Sequence, residues 1–204
     1  YAFVVNAFVS LLKRADMTRY ELFLRETRTY EIIEDVKNFR SEIGVLFLNG
    51  YNRDVLTKMF DDNRLTYTSL FKARPHIFVS KSNPLAKHKV VSLEDLEDFP
   101  YLSYDQGIHN SFYYSEEILS QIPHKKSIVV SDRATLFNLL IGLDGYTIAT
   151  GILNSNLNGD NIVSIPLDID DEIDIVYLKH EKATLSKMGE KFLDNLVKEV
   201  TFDN

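Results

Sequence analysis

Residues 20–50 read YELFLRETRTYEIIEDVKNFRSEIGVLFLNG, and the change of period along this stretch decides the class of fold. From Tyr20 to Arg25 apolar and polar residues alternate, as on a strand with one buried face. Thr29 then stands where an N-cap would, ahead of Ile32, Ile33, Val36 and Phe39 on one helical stripe. Ile43 to Leu48 is continuously apolar and ends at Asn49 and Gly50, the pattern of a strand covered on both faces. Strand, helix and buried strand in succession predict a parallel α/β sheet.

Upstream, Phe3, Val4, Ala7, Phe8, Leu11 and Leu12 recur at helical spacing and leave Asn6, Ser10, Lys13 and Arg14 outside the stripe. Downstream, Leu65 to Phe71 and Ala73 to Ser80 read as strands, the second bent or kept at an edge by Pro75. Ser92 and Asp95 form a capping-box pattern that opens a short helix. The alternation then restarts: a strand at Tyr101 to Ser103, a helix around Ser111 to Gln121, a strand at Ser127 to Val130, a helix from Ala134 to Leu143 and a strand at Tyr146 to Ala149. Two more strands, Ile162 to Pro166 and Ile173 to Leu178, precede a long amphipathic helix carrying Leu185, Met188, Phe192, Leu193, Leu196, Val197 and Val200. Two α/β halves thus meet near residue 77.

With 204 residues, 45% of them hydrophobic, the chain can bury a real core. Its 30 Asp and Glu against 23 Lys and Arg give a net charge of −7. Nine of those acids lie in two runs without a base, Glu94, Asp95, Glu97 and Asp98, and Asp168, Asp170, Asp171, Glu172 and Asp174. Both runs read as solvated surface, and the near-neutral remainder carries no nucleic-acid footprint. The absence of cysteine excludes disulfide staples, thiolate metal sites and a cysteine nucleophile. No apolar run approaches the length of a membrane span. Tyr1 to Leu12 lacks the basic flank of a signal peptide, and the missing initiator Met implies a longer gene product.

Enzyme signatures are scarce. The sequence has no G-x-S-x-G, H-E-x-x-H, G-x-G-x-x-G or Walker phosphate loop. Ser10 to Lys13 matches S-x-x-K without companion motifs, which reads as chance spacing. The histidines His76, His88, His109, His124 and His180 are not spaced as paired metal ligands, so neither metal nor cofactor is implied. Ser103, Asp105 and His109 share one loop, where neighbours usually point apart, so no catalytic residue is assigned. Lys81, Lys87, His88 and Lys89 around Pro84 read as a solvated loop.

Two segments carry a family resemblance. Phe78-Val79-Ser80-Lys81-Ser82-Asn83-Pro84-Leu85-Ala86, followed by Val91-Ser92-Leu93-Glu94-Asp95-Leu96 and Phe99-Pro100-Tyr101, resembles the effector-binding domain of LysR-type transcriptional regulators, in which a strand leads into an (H/N)PLA loop and then vsLeDL. Leu136 to Thr150, ending Leu139-Leu140-Ile141-Gly142-Leu143-Asp144-Gly145-Tyr146-Thr147-Ile148-Ala149-Thr150, is similar to the family's LVaaGlGvallP segment. Leu143 stands where the family often has Gly, and Thr150 where it often has Pro. The resemblance implies an α/β, two-lobed type 2 periplasmic-binding-protein-like fold with two crossovers between lobes. It places lobe I at residues 1–76 plus 174–204 and lobe II at 77–173, with the family's first strand expected before Tyr1.

The function so implied is ligand sensing: a small polar or anionic metabolite held between lobes, a homodimer or tetramer, a cytoplasmic location, and DNA contacted only through an upstream winged helix-turn-helix. Ligands of open parallel sheets sit beyond strand C-termini, at helix N-termini. On that logic the effector-binding candidates are Thr29 above all, whose family counterpart presents its hydroxyl to effector, then Tyr1, Ala2, Asn49, Gly50, Ser103, Tyr104, Ser131, Asp132 and Thr150. Arg28 and Arg133 are candidate partners of an anionic effector. The competing readings are the solute-binding protein of an ABC transporter, with the same lobes, and an enzyme on that scaffold.

Overall fold

The computed structural model describes residues 1–14, 19–152 and 161–201. Helix α1 (Ala2–Arg14) buries Phe3, Ala7 and Leu11 at four-residue spacing, and Lys13 and Arg14 complement its C-terminal dipole. After α2 (Thr29–Lys37) comes β1 (Gly44–Leu48), covered on both faces: Leu46 and Leu48 join one core cluster while Phe47 joins another. Helix α3 (Arg53–Asp62), buried through Leu56 and Phe60, went unread in the sequence because its stripe is short and flanked by polar residues. Strands β2 (Leu65–Ala73) and β3 (His76–Ser80) then lie in different sheets, with Pro75 between them.

The chain continues through β4 (Tyr101–Tyr104), β5 (Ser127–Val130), α4 (Arg133–Gly142), β6 (Tyr146–Ala149), β7 (Ile162–Pro166), β8 (Ile173–His180) and α5 (Lys187–Thr201). One sheet has the order β1-β8-β2 and the other β5-β4-β6-β3-β7. The chain crosses between them twice, from β2 to β3 and from β7 to β8. The crossings touch: the Leu167 amide donates to the Pro75 carbonyl at 3.0 Å. A core cluster containing Phe3, Phe47, Ile77, Ile148, Ile173, Ile175 and Leu196 draws on both sheets, α1 and α5. The outer faces have their own cores, under α2 and α3 on the first sheet and under α4 on the second. No helix of the described residues is long and apolar enough to cross a membrane.

Four expectations need correction. Tyr20 to Arg25 forms no ladder, and Tyr20, Phe23 and Leu24 are exposed; alternation supplies strand propensity, but a strand needs a partner for its amides and carbonyls. The first sheet is accordingly antiparallel, and parallel pairing among the described residues is confined to the second sheet, where β4 meets β5 and β6, and to an isolated bridge between Val91 and Leu167. Ser111 to Gln121 is no helix beyond a 3₁₀ turn at Phe112–Tyr114; the rings of Tyr113 and Tyr114 are drawn to Tyr51 and Tyr30, and Leu119 has φ 62°. Nor is the second acidic run wholly solvated. Asp174 is buried, accepts from Ser69 Oγ at 2.5 Å and pairs with Arg53 at 3.1 Å.

The two family-like segments meet in space. Asn83, 1% exposed, accepts from the Leu85 amide at 2.8 Å to cap the 3₁₀ turn Pro84–Lys87, and its Nδ2 donates to the Asp144 carbonyl at 2.7 Å. Removing the amide leaves the buried Leu85 amide without its acceptor and the Asp144 carbonyl without its donor, a loss of roughly 1–3 kcal/mol. Asn83→Ala is therefore expected to lower the unfolding free energy by that amount, seen by circular dichroism as a lower urea midpoint at unchanged m-value.

Candidate functional site

Strands β4, β5 and β6 run parallel, so their C-terminal ends open on one side. There the helix α4 begins, with Asp132 as its N-cap, accepting from the Thr135 amide at 2.9 Å. A cavity of about 590 Å³ lies at this edge and extends along α1, the 21–27 segment, β1 and α5. Its walls include the first turns of α1, α2 and α4 and the residues at the ends of β4 and β6, the place where open α/β sheets hold ligands.

Six of the sequence candidates line this cavity: Tyr1, Ala2, Thr29, Tyr104, Thr150 and Arg133. Thr29 is the buried first residue of α2 rather than its cap; Arg28 occupies the cap position in an extended conformation, and no side chain caps the turn. The Thr29 hydroxyl is thus not spent on its helix. Arg133 reaches over the Phe137 ring, 5.0 Å from its centroid.

The other six do not line it. Asn49 accepts from the Tyr51 and Asn52 amides, both at 3.1 Å, and donates to Asp171 at 3.1 Å, so it builds the turn after β1, and Gly50 is exposed beside it. Ser103 alternates away from Tyr104 along β4; Ser131 and Asp132 are exposed, and the Asp132 carboxyl is held below its ordinary range by the Thr135 amide and hydroxyl. Arg28 is held elsewhere. Its Nη2 donates to the Asp105 carboxylate at 2.7 Å, its Nε to the Asp105 carbonyl at 2.9 Å, and its Nη1 reaches Glu31 at 3.3 Å. Beside this bridge Tyr30 stacks on His109 at 3.4 Å and Tyr51 on Tyr113 at 4.8 Å. The segment after β4 is thereby fastened onto α2 and the β1–α3 turn. Asp105 and His109 spend their side chains on Arg28 and Tyr30, and no hydrogen bond joins Ser103, Asp105 and His109.

Glu116 and Glu117 line the same cavity and were missed, because a pair of acids in a sequence does not announce burial. Glu117 is 4% exposed; Oε1 accepts from the Tyr104 amide at 2.9 Å, while Oε2 is buried with no partner among the described residues. Burial, and then the neighbouring Glu116 charge, push its carboxyl up from 4.5 to about 8. Burial likewise raises Glu116, opposed by the amide of Gln106.

The sign of the pH dependence follows. Below 4.5 both folded and unfolded chains hold the Glu117 proton; between 4.5 and about 8 only the folded chain does, so stability falls as pH rises through that window. The slope approaches about 1.4 kcal/mol per pH unit for one group. Glu117→Gln removes the titration. Urea melts from pH 5 to pH 8 are expected to show wild-type stability declining and the variant declining less steeply, because the raised Glu116 carboxyl still titrates in it, with the variant the more stable at pH 8.

The chain matches the family described as LysR substrate binding domain over residues 13–201. Among curated proteins, none matches the sequence. The effector binding domain of QuiR in complex with shikimate is 17% identical, with TM-score 0.60 over 96% of this chain and 88% of that one. The BenM effector binding domain with its effector benzoate is 18% identical, with TM-score 0.63 over 98% and 86%. HinK, a LysR family transcriptional regulator from Pseudomonas aeruginosa, is 15% identical with TM-score 0.62; the match covers 97% of this chain but 64% of that longer one. The two sheets, the double crossing and the family match over nearly the whole chain give one conclusion: the protein belongs to the LysR substrate-binding-domain family, ligand-sensing regulatory domains of two-lobed, periplasmic-binding-protein-like fold.

Proposed function

We propose that the cavity at the strand ends is the effector site, and that a small polar metabolite bound there shifts the two lobes. The observation that carries this reading is the convergence of Thr29, from the α2 start, with Tyr104, Arg133 and Thr150, from the second sheet and α4, on one cavity. A ligand acts on such an arrangement only through its different affinity for the two lobe positions. The lobes are taken as residues 1–76 plus 174–204 and 77–173, turning about the paired crossings at Pro75 and Leu167. The domain works by binding and not by turnover, as part of a cytoplasmic homodimer or tetramer whose upstream winged helix-turn-helix contacts DNA. The effector complexes of QuiR and BenM support the reading by analogy of fold. The family match favours it over a transporter's solute-binding protein.

Isothermal titration against a metabolite collection, with small-angle scattering on each binder, tests this reading. A binder that changes the radius of gyration or the assembly is expected; a saturating ligand that changes neither would count against a switch. The Arg28–Asp105 bridge makes a separate prediction. Its side chains are 37% and 45% exposed, so the ion pair contributes little to global stability, on the order of 1 kcal/mol or less. Arg28→Ala is expected to leave the unfolding midpoint nearly unchanged, yet to speed amide hydrogen exchange in residues 105–114 several-fold.

A further inference from the structure

We infer that residues 105–114 are a latch between the lobes, one that sets how wide the cavity stands; the inference rests on reading 1–76 plus 174–204 and 77–173 as two lobes with the effector site between them. The segment leaves the second sheet at the end of β4 and reaches α2, the β1–α3 turn and α3 of the first lobe. Four pairs of side chains hold it there. Asp105 takes Arg28 through its carboxylate at 2.7 Å and its carbonyl at 2.9 Å. His109 stacks on Tyr30 with centroids 3.4 Å apart, and Tyr113 on Tyr51 at 4.8 Å. The Tyr114 hydroxyl donates to Met59 Sδ at 3.7 Å. Arg28 is seated as well as paired: its guanidinium lies so close to Gly107, where φ is 62°, that a Cβ there would fall 2.8 Å from Nη1. The Gly107 amide in turn donates to Asp105 Oδ1 at 2.9 Å, which leaves Oδ2 to Arg28.

These contacts differ in kind from those at the crossings. Arg28, Tyr30, Tyr51, His109 and Tyr113 stand outside the core cluster that the two sheets share. Water can replace an ion pair and a ring stack of partly exposed groups at small cost, whereas opening a shared apolar core would expose it. The segment can therefore part from the first lobe while the fold stands. Its roots lie in the cavity wall. Thr29, which lines the cavity, is flanked along the chain by Arg28 and Tyr30; Tyr104 lines it and precedes Asp105; and Tyr114 is followed closely by Glu116 and Glu117, which line it too. Glu117 Oε1 accepts from the Tyr104 amide at 2.9 Å and the Asp105 amide donates to the Val130 carbonyl at 2.8 Å, so the roots stay with the second lobe while the tip rests on the first. Thr29 faces the cavity from one lobe and Tyr104 and Thr150 from the other, so the latch governs their separation. The apparent affinity of an effector then scales with the fraction of chains in the arrangement that it binds.

The sequence has no cysteine, so introduced thiols carry the only labels. Lys58→Cys on α3 and Asn138→Cys on α4, both exposed positions, put one spin label on each lobe. Pulsed electron paramagnetic resonance then reads the distance between lobes with no ligand present. One dominant distance is expected with the latch intact. Asp105→Asn combined with Tyr51→Ala should raise the population of a second distance at least about fivefold. Gly107→Ala, which pushes the Arg28 guanidinium from its seat, should raise it by itself. Urea midpoints of these variants should stay near that of the wild type, because the contacts removed are partly exposed. Asn83→Ala is the control: it lowers stability at the α4–β6 turn and should leave the distances unchanged. The same distribution with and without the strap substitutions overturns the latch and leaves the effector reading intact, since no ligand enters the measurement. A shift in Asn83→Ala as large as in the strap variants also overturns it, because lobe movement would then track global stability. Failure of the effector reading shows separately, as the absence of any binder in the calorimetric titrations.

Discussion

Strand β8 is the constraint on which the remainder of the molecule depends. It pairs with β1 on one side and β2 on the other, and it is reached from the second sheet by the β7 crossing. Ile173 and Ile175 face the core shared by both sheets, and Val176 and Leu178 face the core under α2 and α3. Each of these side chains is fully buried, worth about 1.5–3 kcal/mol against exposure, so a slip of one residue would exchange the two faces and forfeit both cores. Asp174 sits in the same strand between Ser69 and Arg53, which gives the register a polar pin that no neighbouring position can satisfy. With β8 fixed, the two sheets share a single hydrophobic interior at the crossings and separate beyond it.

A second, smaller device sets the turn that leads into the cavity. Asn83 ties the loop after β3 to the turn between α4 and β6, where Asp144 takes φ 50°. A non-glycine residue in the left-handed region carries strain unless its surroundings hold it there, and Asn83 is one of the contacts that do. Leu143, the departure from the family pattern at this turn, is ordinary in conformation as the cap of α4; the left-handed residue is the one after it. The turn leads straight into β6, whose Thr147 and following Thr150 face the cavity. The loop motif thus acts on the site through backbone position and contributes no side chain to it.

The cavity itself is an electrostatic compromise. A carboxyl with an unpaired oxygen in an apolar enclosure destabilises the folded chain as it ionises, and structures retain such groups where a ligand uses them. The bridge of Arg28 to Asp105 and the stacked rings of Tyr30, His109, Tyr51 and Tyr113 lie beside that enclosure and span the two sides. They are partly exposed contacts of modest strength, suited to an interface that opens and closes. The buried Glu117 is the opposite kind of feature, costly to ionise where it stands.

Residue patterns alone determined the order of most elements, because period and punctuation are local: the α1 stripe, the doubly buried β1, the break at Pro75, α4, β6 to β8 and the terminal helix are all readable from spacing. The Asn83 segment and the Leu136 to Thr150 segment also carried the family, since each contains a tight turn between regular elements with demanding backbone requirements. Thr29, Tyr104, Thr150 and Arg133 were legible as residues that line the cavity because strand ends and helix starts can be located without knowing the partner elements. Tertiary structure alone decided the rest. Tyr20 to Arg25 has the pattern of a strand but no ladder, the rings of Tyr113 and Tyr114 follow Tyr51 and Tyr30 instead of a helical stripe, and Asp174 left an apparently solvated acidic run for the core. Above all, whether Glu116 and Glu117 meet water or the wall of a cavity depends on what folds over them, and burial is a property of the assembled molecule that no local pattern encodes.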